Sequence, residues 1–194
     1  MTTPDIAHWM KVCVAVAQIF TPLIAFGIFI VTVMLAARSK QADILVECHR
    51  RHAELVSKAY GLRRREEELQ NASAKSKYRA EVKEWFGSFW RQQDDQYVHW
   101  RNGFIEDHIY MDWIEARLRE LKSDKQELGP FLGEMTYKDG YDSAASEWCS
   151  DDFKKFMNLL WETRDAQQTV QFFRPRGLRV SIIRFLCNNR RRIS

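Results

Sequence analysis

The stretch VCVAVAQIFTPLIAFGIFIVTVMLAA, residues 12–37, decides how this chain is built. It contains no charged residue, and Lys11 and Arg38 lie at its two ends. As an α-helix it is about 39 Å long, which exceeds the roughly 30 Å of hydrocarbon in a bilayer. The apolar core of a signal peptide has only about 7 to 15 residues. The stretch therefore predicts a transmembrane helix that is retained as an anchor.

The positive charges that flank this stretch predict its direction in the membrane. Lys11 is the only Lys or Arg before it, whereas four follow closely: Arg38, Lys40, Arg50 and Arg51. Lys and Arg near a span favour the cytoplasmic side. We therefore expect a single-pass protein of the inner (plasma) membrane, with the N-terminus outside and the C-terminal domain in the cytoplasm.

The predicted transmembrane helix and its direction divide the chain into four segments. They are a short extracytoplasmic N-terminus (1–11), the transmembrane helix (12–37), a cytoplasmic helical domain (38–171) and an Arg-rich C-terminal segment (172–194). The chain has 194 residues, which leaves room for one domain outside the membrane. Its 30 Lys and Arg nearly balance its 26 Asp and Glu, so the net charge is only +4. Such a balance is not typical of a nucleic-acid-binding protein.

Apolar residues recur at helical spacing through the cytoplasmic part, and no alternating strand pattern is present. The first such face lies directly after the span and consists of Leu45, Cys48, His52, Leu55, Ala59 and Leu62. A short seam of this kind serves either a parallel dimer or the first helix of a bundle, and the size of the domain favours the bundle. The predicted fold class is therefore all-α, with an N-terminal transmembrane helix followed by a cytoplasmic helical bundle.

Local signals in the middle of the chain predict where helices end. Asn102 and Gly103 supply a left-handed stop, so we expect residues 76–122 to form an antiparallel helical hairpin that turns there. The rings that we expect this hairpin to bury are those of Trp85, Phe89, Trp100 and Trp113. Residues 123–146 contain several Gly, a Pro and an Asp-Gly pair, which together predict a loop.

The C-terminal third is predicted to contain two more segments. Ser150 is suited to cap a helix that begins at Asp151 and continues until residues 174–177 break it. A short apolar segment, residues 178–187, then precedes the final arginines.

Polar residues gather at the predicted corner near Gly103. The candidates for catalysis there are Asp95, His99 and His108, because a carboxylate beside an imidazole can perform acid–base chemistry. The chain lacks the short signatures of phosphate-binding loops, nucleophile elbows and zinc proteases. His49 and His52 lie beside Cys48, but no second element supplies further ligands. We expect no metal and no cofactor.

Two features suggest partner binding. Trp90, which precedes Arg91, is the ring that we expect to be exposed or to face a partner. Within the span, Ala17, Thr21 and Ala25 recur every four residues, and small residues at this spacing let a second helix approach closely.

The C-terminal segment carries the clearest charge signal, because no acidic residue follows Asp165. An apolar, Arg-rich segment tethered near an anionic leaflet is suited to bind lipid headgroups. The expected membrane-surface residues are Arg174, Arg176, Arg179, Arg184, Arg190, Arg191 and Arg192. The alternative is that this segment packs as a final helix on the bundle and leaves only its end in water.

One aromatic pattern is similar to a known group of proteins. The helix start ILVE at 44–47, the stretch FWRQQDDQY at 89–97 and the stretch WRNGFI at 100–105 resemble small bacterial single-pass membrane proteins grouped as domains of unknown function. The resemblance spans residues 10–120. It implies a bacterial inner-membrane protein with a helical cytoplasmic domain, and it supplies no catalytic residue.

Three functions remain open from the sequence. The preferred hypothesis is a membrane-anchored interaction or regulatory protein that holds a protein partner or a second copy at the inner leaflet. The alternative is a membrane-localised enzyme or toxic effector that uses the polar corner near Gly103. The second alternative is a membrane-tethered nucleic-acid binder, which the near-neutral domain disfavours.

Overall fold

The computed structural model describes residues 3–66, 72–122 and 135–188. These ranges contain seven α-helices and no β-strand, so the all-α fold class is confirmed for them. The helices are α1 (Thr3–Glu66), α2 (Ala72–Arg101), α3 (Asp107–Lys122), α4 (Tyr137–Trp148), α5 (Asp151–Thr163), α6 (Ala166–Phe173) and α7 (Leu178–Asn188).

The first helix, α1, is continuous over 64 residues. An 18-residue window near its N-terminus has a mean hydropathy of 2.5, and none of that window is buried within the chain. By length and composition, α1 is therefore able to cross a membrane. Its second half continues without interruption into the helical domain.

Helices α1, α2 and α3 run antiparallel to their neighbours. Between α1 and α2, the indole of Trp85 donates to the carbonyl oxygen of Leu55 at 2.8 Å, and Gln92 Nε2 donates to that of Cys48 at 2.9 Å. Residues later in α2 thus meet residues earlier in α1. The predicted hairpin is also confirmed, because α2 ends at Arg101 and Gly103 has a φ of +84°.

Aromatic side chains of α2 fill the core. Trp100 stacks on Tyr110 of α3 with ring centroids 4.6 Å apart, and its indole donates to Asp107 Oδ1 at 2.8 Å. The rings of Trp85, Phe89 and Trp100 are buried as predicted, whereas Trp113 is half-buried at the edge of the core. Much of the first apolar face of α1 packs against this core, which agrees with the bundle.

The predicted loop is wrong for residues 137–146, which belong to α4; residues 123–134 lie outside the described ranges. Two features overcome the turn signals. Thr136 and Asp139 cap the start of α4 reciprocally, since each backbone N–H donates to the other side chain at 3.0 Å. Gly140 lies where α4 meets α2, and an added Cβ would be 2.3 Å from Phe86 Cδ1. The glycine therefore permits close packing and does not mark a turn.

The helix predicted from Asp151 begins as expected but is shorter. The hydroxyl of Ser150 accepts a hydrogen bond from the backbone N–H of Phe153 at 3.3 Å, so the predicted cap is confirmed. Arg164 then has a left-handed φ of 54°, and Asp165 caps α6 through Gln168 N at 2.9 Å. The expected single helix is thus two, because a cap in its middle starts a new one.

Candidate membrane-proximal site

The C-terminal helix α7 packs on α1 at the point where the apolar stretch ends. Arg38, the first residue after that stretch, donates from Nε to the carbonyl oxygen of Leu186 at 3.3 Å. On its other side α7 meets the α2–α3 corner, where a Cβ added to Gly103 would lie 3.2 Å from Val180 Cγ1. Helix α7 therefore joins the start of the cytoplasmic half of α1 to the corner of the helical hairpin.

A single carboxylate holds this arrangement together. Asp107, at the N-terminus of α3, accepts from Arg184 Nη2 at 2.5 Å and forms an ion pair with Arg174, whose Nε lies 2.9 Å from Asp107 Oδ2. The same carboxylate accepts from the indole of Trp100, which belongs to the core. We call Asp107, Arg174 and Arg184 the clasp. It couples the C-terminal segment to the aromatic core.

The clasp divides the seven arginines that were expected at the membrane surface. Arg174 and Arg184 bind a carboxylate within the domain, so their charges are partly neutralised there. Arg176 is exposed, and the side chain of Arg179 is not described. Arg190, Arg191 and Arg192 lie outside the described residues, and their role stays a prediction.

The apolar side chains of α7 point in two directions. Val180, Ile183 and Leu186 are half-buried against the rest of the domain. Ile182 is 48% exposed and Phe185 is 62% exposed. Helix α7 thus presents an apolar edge away from the bundle, close to the end of the apolar stretch of α1.

An open groove of about 630 Å³ lies beside the same end of α1. Its lining comes from α1 and α2 and comprises Ala36, Ser39, Lys40, Asp43, Ile44, Glu47, Cys48, Arg51, Gln92, Asp95 and His99. Arg51 bridges the two helices, since its guanidinium lies 2.6 Å from Glu47 Oε1 and 3.1 Å from Asp95 Oδ2. The groove therefore contains charges of both signs, most of them already paired.

Burial and ion pairs set the protonation of the groove. Hydrogen bonds from Arg50 and Arg51 lower the pKa of Glu47 to about 2. Burial lowers the pKa of His99, although the nearby Asp95 opposes this effect, and burial raises the pKa of Cys48 to about 11. At neutral pH the groove thus holds the ionised Glu47, a neutral imidazole and a protonated thiol. The thiol is a poor nucleophile in that state.

The three catalytic candidates do not converge. Asp95 and His99 both line the groove, but His108 is exposed on α3, where its Nδ1 lies 3.2 Å from Glu106 Oε2. Arg51 donates a hydrogen bond to Asp95, so this side chain already has a cationic partner. The structure therefore brings Asp95 and His99 to one groove and leaves His108 outside it.

The expectation that Trp90 is exposed is wrong, because its side chain is 0% exposed. Its ring lies 5.1 Å from that of Tyr141 and 6.2 Å from that of Trp161. Tyr141 belongs to α4, the helix that the sequence did not predict. Trp90 was expected to face outward because the element that covers it was missing from the prediction.

The small residues of the apolar stretch stay a prediction. Ala17, Thr21 and Ala25 are exposed on α1, and the hydroxyl of Thr21 donates to the carbonyl oxygen of Ala17 at 2.7 Å. That bond satisfies the hydroxyl within the helix, so Thr21 is able to face lipid or another helix.

The histidines near Cys48 occupy a small crevice. His49 and His52 line a cavity of about 70 Å³ together with Trp113, and the ring of His49 meets that of Trp113 edge-on at 5.9 Å. Burial lowers the pKa of His52, with smaller contributions from Arg117 and His49. Across the described ranges, no group of three or more His, Cys, Asp or Glu is placed to hold a metal ion.

The residue that sequence reasoning missed is Asp107. It lies at the predicted corner near Gly103, and its ion pairs with Arg174 and Arg184 were not predicted. Seventy-seven residues separate Asp107 from Arg184. The only sequence signal was the absence of acidic residues from the C-terminal segment, which obliges its arginines to find carboxylates elsewhere.

Comparison with known proteins adds no relative to these observations. No protein-family model, curated protein or solved structure matches the chain. The resemblance of residues 10–120 to small bacterial membrane proteins therefore stays an expectation.

Proposed function

We propose that the protein is a membrane-anchored interaction or regulatory protein whose helical domain is held on the inner leaflet of the bacterial inner membrane. The observation that carries this proposal is the packing of α7 on α1 at Arg38. Since α1 is one continuous helix, an anchor at residues 12–37 fixes the distance between the membrane and the elements that pack on α1 just after the anchor. Helix α7 then lies at the level of the lipid headgroups.

The chemistry of α7 fits that position. Its exposed apolar side chains, Ile182 and Phe185, are suited to enter the boundary between headgroups and acyl chains. Arginines near an anionic surface contribute about 1 kcal/mol each at best. The contact of α7 with the membrane is therefore weak enough to be reversible. It leaves the rest of the domain available to hold a protein partner or a second copy.

The direction of the anchor is tested by reporters fused after Ser194 in the full-length protein. The charge asymmetry around the span predicts fluorescence from a cytoplasmic reporter and no activity from periplasmic alkaline phosphatase. The reverse pattern would overturn the orientation and the inner-leaflet location with it.

The depth of α7 is tested by a spin label at Phe185→Cys, in a full-length Cys13→Ser/Cys187→Ser background reconstituted into vesicles. We expect the label to be accessible to oxygen and shielded from a water-soluble nickel complex, more strongly in anionic than in neutral vesicles. Glu115→Cys, on the exposed face of α3, is the matched control and should report water. Equal exposure of both labels to the nickel complex would contradict the surface contact.

A second candidate function is supported by the groove, since Asp95 and His99 share it near the membrane end of α1. It is a membrane-localised enzyme or effector acting on a small polar substrate. His99→Gln would abolish such an activity, whereas it would leave the spin-label result unchanged. The nucleic-acid alternative lacks this kind of support, because Trp90 and Trp100 are buried and do not offer rings for stacking.

A further inference from the structure

The second half of α1 carries another face without Asp, Glu, Lys or Arg, distinct from the one that packs in the bundle. Its positions alternate in spacing between three and four residues: Ser39, Ala42, Val46, His49, Ala53, Val56 and Tyr60. We call these seven residues the outer stripe. All seven charged residues between 39 and 60 lie elsewhere on the helix: Lys40, Asp43, Glu47, Arg50, Arg51, Glu54 and Lys58.

The domain leaves most of the outer stripe uncovered. Val46 is 67% exposed and Tyr60 is 57% exposed, and Ala42 and Ala53 are exposed as well. His49 touches Trp113 at the edge of the stripe, and Val56 is half-buried. An exposed helix face that lacks Asp, Glu, Lys and Arg over six turns is suited to contact another helix.

The same spacing continues without a break into the apolar stretch. Counting back from Ser39 in steps of four and three gives Leu35, Thr32, Ile28, Ala25 and Thr21, all of them exposed. A repeat of 3.5 residues that persists along a helix is typical of supercoiling around a partner helix. Thr21 and Ala25 are also members of the small-residue pattern in the span, which allows close approach inside a membrane.

We propose that the outer stripe, together with its continuation in the apolar stretch, pairs α1 with α1 of a second copy. The two helices run parallel and in register from Thr21 to Tyr60. The partner must match an apolar stripe both within the bilayer and beyond it, and α1 itself carries that stripe. This inference rests on the proposed anchoring, because two copies anchored with the same orientation necessarily run parallel.

Charge complementarity supports the parallel register. With Ser39 and Ala42 as core positions, Arg38 and Asp43 are the flanking positions that meet across a parallel pair. Arg38 of one copy thus lies opposite Asp43 of the other. A guanidinium has five N–H donors, so the bond from Arg38 Nε to Leu186 leaves donors for this carboxylate.

The pairing is tested by oxidation of full-length variants in membranes, each with one added cysteine in the Cys13→Ser/Cys187→Ser background, which keeps the buried Cys48 and Cys149. Ala53→Cys and Val46→Cys should form disulfide-linked dimers at least tenfold more than Glu54→Cys. Ala53 and Glu54 are adjacent and both exposed, but only Ala53 belongs to the outer stripe. The proposal would be overturned by equal dimer yields from Ala53→Cys and Glu54→Cys, or by no dimer from Ala53→Cys and Val46→Cys. Disulfide adducts to other proteins instead of the dimer would also overturn it.

A charge variant provides a second measurement without cysteine chemistry. Ala53→Lys should weaken dimerisation at least tenfold in detergent solution, measured by light scattering, whereas Glu54→Lys should not. Lys is tolerated in helices, so an unchanged helical circular-dichroism signal confirms that each variant is folded. If the reporter fusions reverse the orientation but Ala53→Cys still cross-links, the inner-leaflet location fails and the outer stripe stands. If the fusions give the expected orientation but only monomer is found, the outer stripe fails alone.

Discussion

The core around α2 and the clasp around α7 are stabilised in different ways. The core consists of closely packed rings, such as the stacked pair Trp100 and Tyr110, which lie almost wholly out of contact with water. The clasp consists of two arginines on one carboxylate and a few half-buried apolar side chains. Exposed ion pairs contribute little to stability, whereas each buried ring contributes several kcal/mol.

This difference bears on function. If the core stabilises the domain by itself, α7 is able to leave the bundle without unfolding it. A helix that detaches at low cost is suited to respond to a membrane surface or a partner. Substitutions in the core and in the clasp should therefore change the free energy of unfolding by different amounts.

Trp100→Ala should have the largest effect. Removing a buried indole leaves a cavity and should lower the free energy of unfolding by about 3 to 5 kcal/mol, measured by urea denaturation of the full-length protein in detergent. Trp148→Ala is the control, since Trp148 is partly exposed and lies under Arg91. Comparable losses from both substitutions would contradict the contrast between core and periphery.

Gly140→Ala should also destabilise the domain, by about 1 to 3 kcal/mol, because the added methyl group overlaps Phe86. This result would oppose helix propensity, which favours Ala over Gly by about 1 kcal/mol. Gly61→Ala is the matched control, because an added Cβ there meets nothing within 4 Å, and it should be neutral or stabilising. If both substitutions stabilise the domain equally, α4 does not pack on α2 as described.

Trp100 and Gly140 show which features of the fold can be predicted from the sequence. Trp100 lies on an apolar helical face and precedes a Gly stop, and both signals are local, so its burial was predicted. Gly140 follows Asp139, and the same local reasoning predicted a turn there. Its actual role depends on Phe86, more than fifty residues away, which no local pattern reveals.

In the candidate site, too, features that depend on nearby residues were predicted and contacts between distant residues were not. The Ser150 cap and the corner at Gly103 were predicted because each depends on neighbours within a few residues. The burial of Trp90 was missed because it depends on α4, and the clasp was missed because Asp107 and Arg184 are distant in the chain. Residue type and spacing reveal secondary structure, whereas the pairing of charges across the fold requires the tertiary arrangement.

Asp107→Asn should have a smaller global effect. It removes the negative charge that holds Arg174 and Arg184 but preserves the shape of the side chain and an oxygen that accepts from Trp100. We expect a loss of about 1 kcal/mol and faster amide hydrogen exchange in α7, with α2 unaffected. Asp152→Asn, on the exposed face of α5, should leave exchange in α7 unchanged. Unchanged exchange in α7 of Asp107→Asn would show that apolar packing alone holds this helix.

Mild acid should have the smallest effect, through the half-buried histidines. Burial lowers the pKa of His52 and of His99, with Arg117 and His49 adding to the effect at His52. The unfolded chain therefore takes up protons before the folded one does, and stability should fall as the pH drops below about 6.5, the ordinary value for His. The lowered pKa of Glu47 acts only below its ordinary value of 4.5, so the interval from pH 7 to 5.5 isolates the histidines.

The variants that test this are His52→Gln, His99→Gln and the double variant. Each single substitution should flatten the dependence of the unfolding free energy on pH between 7 and 5.5, and the double variant should flatten it most. His52 lies in the crevice beside the core and His99 lines the groove, so the two slopes measure how firmly each region excludes water. An undiminished slope in the double variant would mean that neither ring is held in its uncharged form. The groove beside α1 would then be more open to water than the packed core.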